Sequence, residues 1–308
     1  MINGIIKQMI DKYQIVDGIS ARKAIREIMQ EITLCGLYRS FIFNKISFYG
    51  GTCLRIFFGI DRFSEDLDFS TDMPDQIDLR DYKSYIDDEF GALGLNVTFE
   101  IKEKSDSANI KRGYVRGNAK ELFVAFGIDE KIINTTNHNE EIKVKLEIDS
   151  NAPFFAGYDI KAGLLPYPYA VRTYDIESLF AGKISAVLCR GWKSRVKGRD
   201  LYDYCFYLSK DIAVNLKCVE ARIMHDGIEL DHELTLEELK KMLCDKFDLI
   251  DYEKAKLDML NFIDDKRSLD LWNKEFFKSI TQNLKSSENH IFRLPSDEEI
   301  ELCSKNLI

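Results

Sequence analysis

Asp66 and Asp68 stand two residues apart in RFSEDLDFS, a stretch that alternates as a strand does. Successive strand side chains point to opposite faces, so the two carboxylates share a face roughly 7 Å apart, while Leu67 and Phe69 turn into a core. Two like charges so placed oppose each other's ionisation. A divalent cation between them removes that penalty, and carboxylate oxygens suit magnesium. Alone, such a pair more often marks a solvated strand edge. Here Gly50–Gly51 stands shortly upstream, between a short apolar strand and a helix. A glycine turn at a helix N-terminus offers bare backbone N–H groups to a phosphate, although by itself it would read as an ordinary turn. The two features together place a phosphate cradle close to a metal-binding pair.

Two further stretches carry polar groups where chemistry could use them. In IKVKLEIDS, Ile142, Val144, Leu146 and Ile148 face one way, and Lys143, Lys145, Glu147 and Asp149 the other. That is either a half-exposed strand or one that sets a third carboxylate, Glu147 or Asp149, beside the first two. Three carboxylates holding two magnesium ions would suit two-metal phosphoryl transfer. In ESLFAGKISAVLCR, Ile176, Leu179, Phe180, Ile184, Val187 and Leu188 form an apolar helical stripe with Lys183 inside it. A lysine there must be paired or must snorkel outward. Asp200 and Asp203, opening the helix RDLYDYCFYL, would serve as caps or as partners for Lys183.

The elements that must hold these residues follow from periodicity. Residues 1–15 and 20–41 have helical spacing, with Ser20 as a candidate cap. ISFY (46–49) reads as a buried strand, CLRIFFG as a short helix, LDFS (67–70) as a strand and 79–93 as a helix. From 95 to 149 the period changes to two: LNVTFEIKEK, KRGYVRG, KELFVAFGID and EEIKVKLEID read as four strands of an antiparallel meander. Residues 150–174, rich in Pro, Gly and Tyr, read as a linker. Helices follow at 175–190, 200–210, 234–247, 252–264 and 268–284. The expected architecture is α+β: a domain over 1–170 with a mixed or antiparallel sheet and N-terminal helices, then a helical domain over 171–308.

The 308 residues are 45% hydrophobic and 31% charged, as in a soluble globular protein of about two domains. Charges interrupt every apolar run before the roughly 18 residues of a membrane span, and the N-terminus lacks the features of a signal peptide. The chain therefore reads as cytoplasmic. Cys35, Cys53, Cys189, Cys205, Cys218, Cys244 and Cys303 are odd in number and scattered, which argues against a disulfide framework or a zinc site. The four histidines, His138, His225, His232 and His290, are far apart and take no role. The net charge of −9 argues against general nucleic-acid binding. CRGWKSRVKGRD nevertheless concentrates Arg190, Lys193, Arg195, Lys197 and Arg199, and a patch of this kind can meet a phosphate-rich ligand. A second basic group, Lys111, Arg112, Arg116 and Lys120, reads better as solvated strand-edge charge.

Together the motifs resemble the AbiEii/AbiGii toxin family of nucleotidyltransferases, within the DNA polymerase β-like superfamily. YGGTCLRIFFGIDRFSEDLDFS (49–70) is similar to the family's glycine–glycine–threonine, arginine, serine and paired aspartates. VKLEID, ESLFAGKISAVLCR and RVKGRDLYDYCFYL resemble its later motifs, and IDYEKAKLDMLNFIDDKRSLDLWNKEFFKSI its tail. The resemblance implies that Asp66, Asp68 and Glu147 hold two Mg2+ ions, with Mn2+ as a substitute. It implies that Gly50, Gly51 and Thr52 cradle a nucleoside triphosphate, that Arg62, Ser64, Lys145 and Lys183 meet phosphates, and that Asp200 or Asp203 positions Lys183. It further implies a toxin of a toxin–antitoxin system linked to phage defence, partnered by an antitoxin that also represses transcription. The expected reaction is nucleotide transfer to a tRNA 3′ end. Transfer to a protein hydroxyl, on the antitoxin or the enzyme itself, is the alternative. A non-catalytic nucleotide-binding protein is a third class, which the intact acids disfavour.

Overall fold

The computed structural model describes residues 2–102, 110–191 and 196–287. Lys193, Arg195, His290 and Cys303 lie outside them. Along the chain come α1 (Gly4–Ile10), α2 (Gly18–Arg39), β1 (Ser47–Tyr49) and α3 (Gly50–Cys53), which runs on into a π-helical turn, Leu54–Phe58. Next are β2 (Asp66–Ser70), α4 (Lys83–Ala92), β3 (Val97–Lys102), β4 (Ile110–Asn118), α5 (Ala119–Ala125) and α6 (Glu130–Thr135). After β5 (Glu141–Asp149) come β6 (Tyr158–Gly163) and β7 (Tyr169–Tyr174). Helices complete the described chain: α7 (Ile176–Cys189), α8 (Gly198–Ser209), α9 (Leu216–His225), α10 (Leu236–Phe247), α11 (Tyr252–Met259) and α12 (Lys274–Thr281).

Among the described residues the strands form one seven-stranded sheet, ordered β3-β4-β5-β2-β1-β7-β6. The sheet is mixed: β2 pairs with β1 antiparallel and with β5 parallel. Its apolar side is built as strand alternation demands, with Leu67, Phe69, Val144, Leu146 and Ile148 all at 1% exposure or less. The 22-residue helix α2 covers that side and contributes Ile25, Ile28, Met29 and Ile32 at i, i+3, i+4 and i+7.

Three expectations are corrected. KELFVAFGID is helical, not a strand. Asn118 caps α5 by accepting from the Glu121 N–H, and Ala119, Leu122 and Phe123 are buried at i, i+3 and i+4 while Val124 is exposed. The stretch from 95 to 149 is thus no four-strand meander, because two short helices separate β4 from β5. Residues 158–174 are a β-hairpin rather than a linker, and β7 enters the sheet beside β1. Finally, Asp17 rather than Ser20 is the N-cap of α2. Ser20 completes a capping box from inside the first turn.

One apolar cluster runs from Ile6 through the sheet to Leu284. Phe180 of α7 stacks on Tyr207 of α8 at 4.4 Å between ring centres. Among the described residues no helix is long and apolar enough to cross a membrane.

Candidate active site

The polar face of β2 and β5, the α3 turn and helices α7, α8 and α9 enclose a cavity of about 480 Å³. The parallel register fixes its floor, because Asp66 lies opposite Lys145 and Asp68 opposite Glu147. Both aspartates share the face, as alternation requires. Burial pushes the Asp68 carboxyl up to about 6, with Asp66 adding to the rise and Lys145 opposing it.

Backbone conformation explains the glycine turn. Gly50 has φ +84°, and a Cβ there would come 2.8 Å from the Asp68 carboxylate. A Cβ on Gly51 would lie 2.5 Å from the Arg62 guanidinium and 2.9 Å from Ser64 Oγ. At Gly50 the positive φ itself favours glycine, and at Gly51 a side chain would have to displace the Arg62 guanidinium. Thr52 is buried, and its hydroxyl donates to the Asp66 carbonyl. It ties the turn to β2 instead of facing the cavity.

The helical wall holds a buried ion network. Lys183 Nζ lies 2.8 Å from Asp200 Oδ1 and 2.8 Å from Asp203 Oδ2. Arg62, 2% exposed, forks onto Asp203 at 2.5 and 2.7 Å. Arg190 reaches Asp200 at 3.1 Å. Burial works against the Lys183 ammonium, but Asp200 and Asp203 outweigh it and raise its pKa. Burial likewise works against ionised Asp203, and Arg62 and Lys183 outweigh it and hold the carboxyl below its ordinary range. Lys183 is therefore paired rather than snorkelling. Arg62 lines the cavity while paired with Asp203, and it donates to the Phe63 carbonyl in the loop that carries Ser64. The Ser64 carbonyl also accepts from Gln30 Nε2 at 3.0 Å.

On the sheet wall, Lys145 Nζ lies 2.8 Å from Glu147 and 3.4 Å from Asp66. Arg112, opposite Glu147 on β4, also donates to Glu147. These bonds overcome the cost of burial and hold the Glu147 carboxyl below its ordinary range. Glu147 lines the cavity; Asp149 instead accepts from the Asn151 N–H in the turn after β5. The donor chemistry at Asp66 and Asp68 fits a hard divalent cation, since two carboxylates share a face and their repulsion calls for positive charge. Among the described residues no three acid, His or Cys side chains stand as a ligand cluster, and Glu147 pairs with Lys145 and Arg112.

Arg190, Lys197 and Arg199 line the cavity, so the described part of the basic segment belongs to the site. Of the second basic group, Arg112 serves Glu147 and Arg116 pairs with Glu100 at 2.9 Å. Sequence reasoning missed Tyr49, Tyr174, Ser178 and Arg222, which also line the cavity. Tyr174 ends the unread hairpin. Arg222 lies on α9, whose Val219 and Ile223 at i and i+4 were the available signal.

Paired carboxylates on a sheet face, a glycine turn beside them and a buried lysine thus line one polar cavity. The family model described as the nucleotidyl transferase AbiEii toxin of a type IV toxin–antitoxin system matches residues 32–278, and the chain belongs to that family. It is accordingly a nucleotidyltransferase, and a type IV system implies an antitoxin partner. No curated protein sequence matches it. Similar solved structures include two from one organism. One is JHP933 from Helicobacter pylori, at 20% identity over 84% of this chain and 90% of that one, with TM-score 0.48. The other is an H. pylori protein provisionally described as a nucleotidyltransferase, at 22% identity over 86% and 97%, with TM-score 0.49.

Proposed function

We propose that this protein is a magnesium-dependent toxin that transfers nucleotides from a nucleoside triphosphate to an RNA acceptor, the tRNA 3′ end. The observation that supports this most is a single cavity that joins Asp66 and Asp68 to the ion-paired Lys183. In this reading Asp66 and Asp68 hold the cation, and Glu147 joins them on leaving Lys145 and Arg112. The bound cation would neutralise charge that develops on the transferring phosphoryl group.

The chain's own residues do the rest. Gly50 and Gly51 let phosphate oxygens approach the backbone, with Ser64 Oγ and Lys145 beside them. Lys183, held by Asp200 and Asp203, meets the phosphates, while Arg62 acts through Asp203. The acceptor hydroxyl oxygen bonds to the α-phosphorus as the bond to the bridging oxygen breaks. Pyrophosphate leaves with that electron pair, and the hydroxyl proton departs toward the carboxylates of this face. Arg190, Lys197 and Arg199 lie where the phosphates of an entering RNA would pass.

The test offers each of four labelled nucleoside triphosphates, with magnesium, to intact tRNA and to tRNA whose 3′ ribose has been oxidised by periodate. Label on intact tRNA alone is the expected result. Label on a protein band would replace the RNA acceptor with a protein hydroxyl. Nucleotide binding with no label anywhere would favour a binding protein.

A further inference from the structure

Several cations of the cavity have an acid within ion-pair distance. Lys145 has Glu147, Lys183 has Asp200 and Asp203, Arg62 has Asp203, and Arg190 has Asp200. Arg222 lines the same cavity. Among the described residues no carboxylate lies within ion-pair distance of it, and its Nε is buried with no hydrogen-bond partner.

Its place is specific. The guanidinium lies against Gly182 of α7, where a Cβ would come 3.3 Å from its central carbon and 3.4 Å from Nη2. Gly182 immediately precedes Lys183, so the two cations lie on adjoining parts of one wall. The phenols of Tyr49, Tyr174 and Tyr207 have pKa values raised by burial, and the charge of Arg222 partly offsets the rise in each. Tyr49 in turn immediately precedes Gly50. Arg222 thus lies in the cavity that the glycine turn and Lys183 also line, beside phenols that can donate to an anion.

A half-buried guanidinium without a counter-charge is costly unless a ligand supplies one. Its planar fork suits the oxygens of a phosphate. We propose that Arg222 receives the terminal phosphates of the donor triphosphate, and that Gly182 leaves the space its guanidinium needs. The inference rests on the nucleotidyltransferase reading and names a donor-side residue for it. Arg222 shares its cavity with the glycine turn and Lys183, which favours the donor's polyphosphate over an acceptor phosphodiester.

The test is calorimetric titration of the whole protein and of its Arg222→Gln and Arg222→Lys variants, with magnesium chloride present. The titrants are inorganic tripolyphosphate, the four nucleoside monophosphates and a CCA trinucleotide. Arg222→Gln should bind tripolyphosphate about 10- to 100-fold more weakly. Arg222→Lys keeps the charge without the fork and should fall between. Affinity for the monophosphates and for CCA should change by less than about twofold, since neither reaches the subsite. Thermal unfolding checks each variant, and Arg222→Lys carries the test if the glutamine variant does not fold. Wild-type tripolyphosphate affinity in both variants would overturn the proposal. So would a loss confined to CCA, which would move Arg222 to the acceptor side. A wild type that transfers nucleotide normally alongside either result loses only this inference. A wild type that neither binds tripolyphosphate nor transfers nucleotide loses the nucleotidyltransferase reading too.

Discussion

Asp203 holds two cations on one fully buried carboxylate, with Arg62 on one side and Lys183 on the other. Removing one member of a buried ion network leaves charges with neither water nor a partner. Asp203→Ala should therefore destabilise the fold by about 3 to 5 kcal/mol, read as a lower urea midpoint. A midpoint equal to the wild type would mean that Arg62 and Lys183 find other partners or water. Glu31 on α2 is a contrasting case. Burial and the neighbouring Glu27 push its carboxyl up from 4.5 to about 7, against the pull of Lys12. A raised folded pKa stabilises the fold below the unfolded value of 4.5, and that contribution is lost as pH rises through about 7. Glu31→Gln should accordingly stabilise the protein more at pH 8 than at pH 5, by on the order of 2 kcal/mol. Equal urea-midpoint shifts at the two pH values would contradict this. The chemistry-bearing residues read from the sequence gather in one place because β2 and β5 alternate strictly and lie in parallel register. Thr52 was harder to place, since a sequence cannot tell a threonine that faces a cavity from one that braces the residues which do.

The segment KELFVAFGID shows why some elements were legible and others were not. Leu122 and Val124 imitate the alternation of a strand, and Phe123 and Phe126 lend β-propensity. Burial follows the helix instead: Leu122, Phe123 and Phe126 are at 2% exposure or less, and Val124 is 63% exposed. Phe123→Ala should cost about 3 to 5 kcal/mol, and Val124→Ala should stay within about 0.5 kcal/mol. A large cost at Val124 with none at Phe123 would restore the strand. Long elements with a complete apolar stripe, such as α2 and α7, were readable to within a few residues. The hairpin at 158–174 was not, because its prolines and glycines are those of a linker and its strands bury aromatic residues without clean alternation. The ten-residue α9 escaped because only Cys218, Val219 and Ile223 face inward. That omission hid Arg222 as well.

The sheet and the C-terminal helices are joined by more than chain connectivity. The Phe63 N–H donates to the Phe262 carbonyl at 2.8 Å, Arg62 is locked to Asp203, and one apolar cluster spans both parts. The molecule should therefore unfold in a single step. Cys53 beside the sheet and Cys218 on α9 are both fully buried, so under rising urea they should become reactive to a thiol reagent at the same midpoint. Exposure of Cys218 well before Cys53 would show that the helices open independently. Such opening would also dismantle the cavity, because Lys183, Asp200 and Arg222 come from the helices and Asp66, Asp68 and Glu147 from the sheet. Family membership makes the chain a nucleotidyltransferase of a type IV toxin–antitoxin system, and the central structural claim is that its chemistry is anchored at the paired aspartates. The most direct test compares the rate of label transfer from nucleoside triphosphate to tRNA by the wild-type protein and by Asp66→Ala, with thermal unfolding to show that the variant is folded. A fall of at least about a hundredfold is predicted. A folded Asp66→Ala protein that transfers label at the wild-type rate would contradict the account.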